Sequence, residues 1–196
     1  MTLTVTPATG MPLTLPAAGI QPRPLVIGLD LSLTSSGIAG EGWTTHVRTK
    51  TRGDYRLHYL AGQIGDHIKN ADLVVMEGPS YGHAALGGHE DMAGLRCLIR
   101  VFCHRRLIPY AVISPSSLKL YGTGYGKAAK GEIRSAVADR YGIHTEGAAR
   151  YDEADAYVAM AAGMDWLGYQ LAPVPAKNAT ALAGVQWPEQ VPVVAR

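Results

Sequence analysis

Carboxylates stand at three sites in this chain where their positions matter more than their number. Asp30 closes the apolar run PLVIGLD (Pro24 to Asp30), and Glu77 closes DLVVME (Asp72 to Glu77), which Gly78-Pro79 stops at once. Asp152 and Asp155 lie three apart in the first turn of the last helical stretch, so they share a helix face. If the two apolar runs are parallel neighbours in a sheet, their C-terminal ends open on one crevice where all four carboxylates can meet. Like charges gathered at a point repel unless cations sit between them, and hard oxygen ligands select Mg²⁺ or Mn²⁺. Glu153 is one position off the shared face and reads as a solvent-facing or supporting acid.

Cations are unevenly spread. Net charge is only +2, yet Arg96, Arg100, Arg105, Arg106, Lys119, Lys127, Lys130 and Arg134 are opposed over their span by Glu132 alone. Such a local excess suits a polyanionic partner, with Arg96, Arg100, Lys127 and Arg134 as candidate contacts.

The elements that must position these groups follow from periodicity. Pro24 to Asp30, Gly37 to Gly42 and Trp43 to Thr49 read as three strands in antiparallel hairpins, with a turn at Gly40 to Gly42. Leu57, Leu60, Ala61, Ile64 and Ile68 give Asp54 to Asn70 helical spacing. Asp72 to Glu77 is a buried-type strand, followed by a glycine-rich loop to Gly88. A helix resumes through Met92, Leu95, Leu98, Ile99 and Phe102, and Tyr110 to Ile113 forms a further buried strand. Ser114-Pro115 caps a short helix that Gly122 ends; helices at Ala129 to Tyr141 and Asp152 to Leu171 complete the order. The pattern is mixed α/β, antiparallel at first and parallel afterwards. Met1 to Arg23 and Ala172 to Arg196 lack periodicity and read as flexible tails around a domain over residues 24–171.

With 196 residues, 47 % of them hydrophobic and 17 % charged, the chain is sized for one domain with its own core, and a coiled coil or disordered chain is excluded. Cys97 and Cys103 have neither metal-binding nor disulfide-framework spacing and read as reduced core thiols. No run approaches the ~18 apolar residues of a membrane span, and no signal peptide is legible, so a cytoplasmic location without membrane contact is expected.

GLDLSLTSSG (Gly28 to Gly37), VVMEGPS (Val74 to Ser80), SLKLYGTGYGKAAKGEI (Ser117 to Ile133) and DEADAYVAM (Asp152 to Met160), taken as an ordered set, resemble the RuvC family of Holliday-junction resolvases in the RNase H-like superfamily. The resemblance spans about Leu25 to Leu167. It implies an RNase H-like fold with a mixed five-stranded sheet flanked by helices, and a homodimer. It also implies two Mg²⁺ ions, replaceable by Mn²⁺, held by Asp30, Glu77, Asp152 and Asp155. The implied activity is paired phosphodiester hydrolysis on four-way or other branched DNA, leaving 5′-phosphate and 3′-hydroxyl ends, with no small-molecule cofactor. Lys119 and Lys130 fall where family members carry lysines near the scissile phosphate, and a loop between them that closes only on DNA would leave Lys130 swung away in the free protein. Tyr81 follows Glu77 by four positions, near where many members place an aromatic against the junction's bases. Ser32 departs from the pattern, since members often carry Gly two residues after the first Asp.

Three rival readings are weighed against this one. The opening strand also resembles those of sugar kinases and actin-like ATPases, but those proteins need two such domains and a much longer chain. A non-catalytic junction-binding relative would have no use for all four carboxylates. Another RNase H-like nuclease, acting on hybrids, single strands or flaps, shares the carboxylate chemistry.

Overall fold

The computed structural model describes residues 23–79 and 88–191. Its strands are β1 (Val26–Asp30), β2 (Ser35–Gly40), β3 (Trp43–Arg48), β4 (Leu73–Glu77) and β5 (Tyr110–Ile113). The helices are α1 (Gly53–Ile68), α2 (His89–Arg105), α3 (Pro115–Thr123), α4 (Lys130–Tyr141), α5 (Arg150–Trp166) and the short α6 (Ala176–Ala179), followed by a 3₁₀ turn over Thr180–Gly184. They form one five-stranded sheet in the order β3-β2-β1-β4-β5. β1, β2 and β3 pair antiparallel in sequence, whereas β4 runs parallel to β1 and β5 parallel to β4. This is the mixed sheet expected from the sequence.

Side chains alternate across the sheet with a period of two. Ile27, Leu29, Val74 and Met76 face one layer, packed with Leu60, Ile64 and Ile68 of α1 and Leu95 and Ile99 of α2. Val26, Leu73 and Val75 face the other, packed with the Ala- and Met-rich face of α5 and with Ile133 and Val137 of α4. Continuing the alternation puts Asp30 and Glu77 on the α5 side, at the C-terminal ends of adjacent parallel strands.

α5 approaches that sheet closely enough to touch its backbone. A Cβ at Gly28 would lie 1.9 Å from the Ala156 carbonyl oxygen, and one at Gly37 would lie 2.0 Å from that of Asp152. The two glycines therefore set the depth at which the head of α5 lies.

Several expectations change. β2 begins at Ser35 rather than Gly37, because Ser36 is buried with its hydroxyl donating 2.9 Å to the Ser32 carbonyl and accepting 3.0 Å from the Ser32 N–H. Ser32 does not have a positive φ, so the turn after Asp30 has no need of glycine. α3 extends past Gly122 and ends at Gly124, which supplies the left-handed cap at φ 80. Cys103 is buried, with its thiol pushed up to about 12 by desolvation, but Cys97 is exposed, since six residues along a helix turn roughly 240°.

The expected flexible C-terminal tail is corrected over residues 172–191. α6 and the 3₁₀ turn pack Ala181 and Val185 into the core, and Trp187 stacks on Trp166 with ring centroids 4.7 Å apart. Buried Asn178 donates 2.9 Å to the Tyr121 carbonyl. Residues 1–22 and 192–196, which hold most of the other tail assignments, lie outside the described residues.

Candidate active site

Three of the four predicted acids meet. Asp30 at the end of β1, Glu77 at the end of β4 and Asp155 on α5 each offer a carboxylate oxygen, and these atoms all lie within 4.8 Å of one another. The sheet register that pairs β1 with β4 and the close approach of α5 are what bring residues so distant in sequence together. Asp152, one turn earlier on α5, stands at the rim, where its Oδ1 lies 3.9 Å from Lys130 Nζ.

Burial and mutual repulsion set the electrostatics. Burial, then the charges of Glu77 and Asp155, hold the Asp30 carboxyl well above the usual carboxylate range. Asp155 is pushed up to about 7 by burial and by Glu77, with Asp152 adding to the rise and Lys130 and Lys119 opposing it. Asp155 Oδ1 is buried without a hydrogen-bond partner. An acceptor left in that state costs free energy unless a proton or a cation satisfies it. Three hard oxygen donors, one of them on a buried carboxylate with an unsatisfied oxygen, therefore fit a divalent metal ion of the Mg²⁺ or Mn²⁺ type.

Both lysines are at the site. Lys130 is the first residue of α4 and already approaches Asp152, which differs from the expectation that it would be swung away. Its position is fixed by the α4 start, where Glu132 accepts 2.6 Å from the Ala129 N–H. Lys119 on α3 acts on Asp155 through its charge.

The linear basic stretch does not fold into one patch. α2 runs from the carboxylate end of the sheet towards the start of β5, so Arg100, bonded 3.0 Å to the Tyr110 hydroxyl, lies towards the end remote from the acids. Arg96 is half-buried on the same helix. Arg134 spends its Nε on the Thr145 carbonyl at 2.8 Å, tying α4 to the loop before α5. Lys127 is exposed just before α4. Tyr81 lies outside the described residues.

Glu153 is neither solvent-facing nor idle. It is buried, accepting 2.9 Å from the Thr44 hydroxyl while its other oxygen lies 2.6 Å from His46 Nδ1, so it clamps the head of α5 to β3. The alternation of Thr44, His46 and Arg48 on one face of β3 is the signal from which this could have been anticipated.

No protein-family model matches the sequence, and no curated protein does. Solved structures do match. Thermus thermophilus RuvC aligns over 77 % of this chain and 99 % of its own, at 19 % identity and a TM-score of 0.58. T. thermophilus RuvC in complex with a Holliday junction substrate aligns over 78 % and 99 %, at 20 % identity and a TM-score of 0.60. The fold is that of RuvC. Almost the whole of RuvC is thus spanned by this chain. The RuvC-like sheet places the three converging carboxylates at the C-terminal ends of its central parallel strands, and no helix of the described residues is long and apolar enough to cross a membrane.

Proposed function

We propose that this chain is a divalent-metal-dependent endonuclease that resolves four-way or related branched DNA, in the cytoplasm. The observation that carries the reading is the meeting of Asp30, Glu77 and Asp155 around a buried, unsatisfied carboxylate oxygen, on a fold shared with RuvC.

Asp30, Glu77 and Asp155 hold the metal, and Asp152 at the rim completes the set. Divalent ions bound there would supply activation of a water and stabilisation of the leaving 3′ oxygen in phosphodiester hydrolysis. The protein's part is to hold these carboxylates in place. Gly28 and Gly37 fix α5 against the sheet, and Glu153 holds its first turn through Thr44 and His46. Lys130 and Lys119 present positive charge at the mouth of the site, where the phosphate gains charge on the way to its transition state. Lys127, next to α4, adds a contact to the backbone.

Paired cuts call for two sites related by a two-fold axis, so the working species is a homodimer. The apolar residues of α2 from Met92 to Phe102 divide in two. Leu95 and Ile99 are core, whereas Leu98 and Val101 on the outer side of α2 are 41 % and 39 % exposed and border an apolar groove against α1. That outer side is the surface on which a second copy docks.

The test is cleavage of a synthetic four-way junction beside linear duplex, single strand and RNA–DNA hybrid, with and without Mg²⁺. Symmetric Mg²⁺-dependent nicks on the junction are expected. Preferential cutting of the hybrid would assign the site to another RNase H-like nuclease, and no cutting of any substrate would remove the nuclease reading.

A further inference from the structure

A cationic cleft outside the carboxylate site lies at the junction of β3 and α1. Arg48, Lys50, Arg52 and Arg56 line a cleft of about 800 Å³ together with Thr34 and Thr49. Among the described residues none of these four cations is ion-paired with a carboxylate. Arg48, Lys50 and Arg52 are exposed, while Arg56 is half-buried, its Nε donating 2.6 Å to the Thr51 carbonyl. Asp54 is the sole acid between Arg48 and Arg56, so the charge of the segment is not cancelled locally.

The cleft lies at the same end of the sheet as the acids. Asp30 pairs with Gly37 and Gly37 with His46, so His46 is level with Asp30 two strands away. Arg48 follows His46 by two residues and returns to the same face. Thr34, in the loop that leaves Asp30, accepts 3.4 Å from the Thr49 N–H, which ties the cleft to that loop. Strand spacing and rise place the cleft roughly 10–15 Å from the Asp30 backbone. At about 3.4 Å per nucleotide along a duplex strand, that is a few nucleotides. Lys119 and Lys130 bound the carboxylates from the other side, so positive charge lies on both flanks of the acids.

We propose that this cleft grips phosphates of the nucleic-acid strand being cut, a few nucleotides from the scissile bond. The inference rests on the nuclease reading and deepens it. Unpaired arginines and a lysine around threonine hydroxyls are suited to phosphodiester oxygens, which accept charge-assisted hydrogen bonds from guanidinium forks. With the cleft on one flank and the lysines on the other, the strand is held at two points and drawn across the carboxylates between them, which limits its freedom to slide.

The experiment compares the wild-type chain with the triple variant Arg48→Gln, Lys50→Gln, Arg52→Gln. Binding to a four-way junction is measured in Ca²⁺ as a function of KCl, with thermal melting of each protein as control. Three lost phosphate contacts should weaken binding about 10- to 100-fold at moderate salt and lower the log–log salt slope by roughly two to three, with melting unchanged because none of the three side chains is paired in the fold. Neutral methylphosphonates placed a few nucleotides from the cut should weaken the wild type and leave the triple variant little affected. A triple variant that binds with wild-type affinity and slope overturns this inference while leaving the nuclease reading intact, as do methylphosphonate effects that add fully to those of the variant. A wild-type chain that neither binds nor cuts junctions overturns both. If the triple variant melts early, the single Lys50→Gln carries the same readout with a slope change of about one.

Discussion

Asp155 is the residue on which the chemistry and the stability of this protein pull in opposite directions. Its carboxyl is pushed up to about 7, and that of Asp30 is raised as well, so the folded, metal-free protein binds these protons more tightly than the unfolded chain does. At Asp155 folding therefore takes up a proton between about pH 4 and 7, and the stability it contributes falls as pH rises through that window and stays low above it, with the raised Asp30 carboxyl acting in the same direction. Asp155→Asn removes the repulsion, so in EDTA at pH 8 it should unfold at higher urea than wild type, by about 2 kcal/mol, with a smaller difference at pH 5. Mg²⁺ or Mn²⁺ should stabilise the wild type and leave the variant nearly unmoved. Equal stability of the two proteins at both pH values would mean that the acids do not repel one another as described. On activity, Asp30→Asn, Glu77→Gln and Asp155→Asn should each abolish junction cleavage while junction binding in Ca²⁺ largely survives; wild-type cleavage by Glu77→Gln would move the site elsewhere. Lys119→Ala and Lys130→Ala divide differently. Their single-turnover rates in Mg²⁺ should fall well beyond any loss of affinity, and equal losses in the two assays would make the lysines anchors only.

At the scale of elements, the helix–sheet contact through Gly28 and Gly37 sets where Asp152 and Asp155 sit. Gly28→Ala would drive a methyl group into the Ala156 carbonyl, so α5 must lift, at a cost of about 3 kcal/mol or more and with loss of cleavage. Gly62→Ala is the control. Nothing lies within 4 Å of a Cβ there, in the interior of α1, and the change should stabilise by about 0.5–1 kcal/mol. Urea unfolding of the two variants separates a close-packing requirement from ordinary helix propensity. The strands carrying Asp30 and Glu77 were legible because an apolar run ended by an acid is a strong signal on its own. The start of β2 was not, since Ser35 and Ser36 read as loop until the hydroxyl bonds between Ser36 and Ser32 are seen to satisfy Ser36 in a buried strand. The basic stretch from Arg96 to Arg134 was legible as charge but not as a surface, because the turn from α2 into β5 carries Arg100 away from the end where Lys119 and Lys130 lie.

Over the whole molecule, the C-terminal segment is where pattern reading failed. Residues 172–191 hold on through scattered anchors (Asn178, Ala181, Val185, Trp187), too few and too irregular to show a period, yet they close over α3 and α5. Trp187→Ala should cost about 2–3 kcal/mol by removing the stacked ring from Trp166, measurable by urea unfolding; a change below 0.5 kcal/mol would make the segment a loose appendage after all. Assembly belongs to the same scale. Sedimentation with junction DNA should find two chains per junction, and Leu98→Glu together with Val101→Glu should leave monomers that nick without making paired cuts. Paired cutting by a proven monomer would sink the dimer.

The distribution of the three acids along the chain also gives the site a history in time. From Asp30 to Asp155 there are 125 residues, so at about 5–20 residues per second the ribosome needs roughly 6–25 s to go from the first acid to the last. Once β4 is made it can pair with β1, but until α5 follows, the sheet face bearing Asp30 and Glu77 lacks the helix that packs closest to it. A nascent or prematurely broken chain therefore holds two of the carboxylates without the third. Because α5 is both the cover of the core and the carrier of Asp155, the close-packed core and the three-carboxylate cluster are completed by the same docking event, and on the proposed nuclease reading the means to break DNA would come only with it.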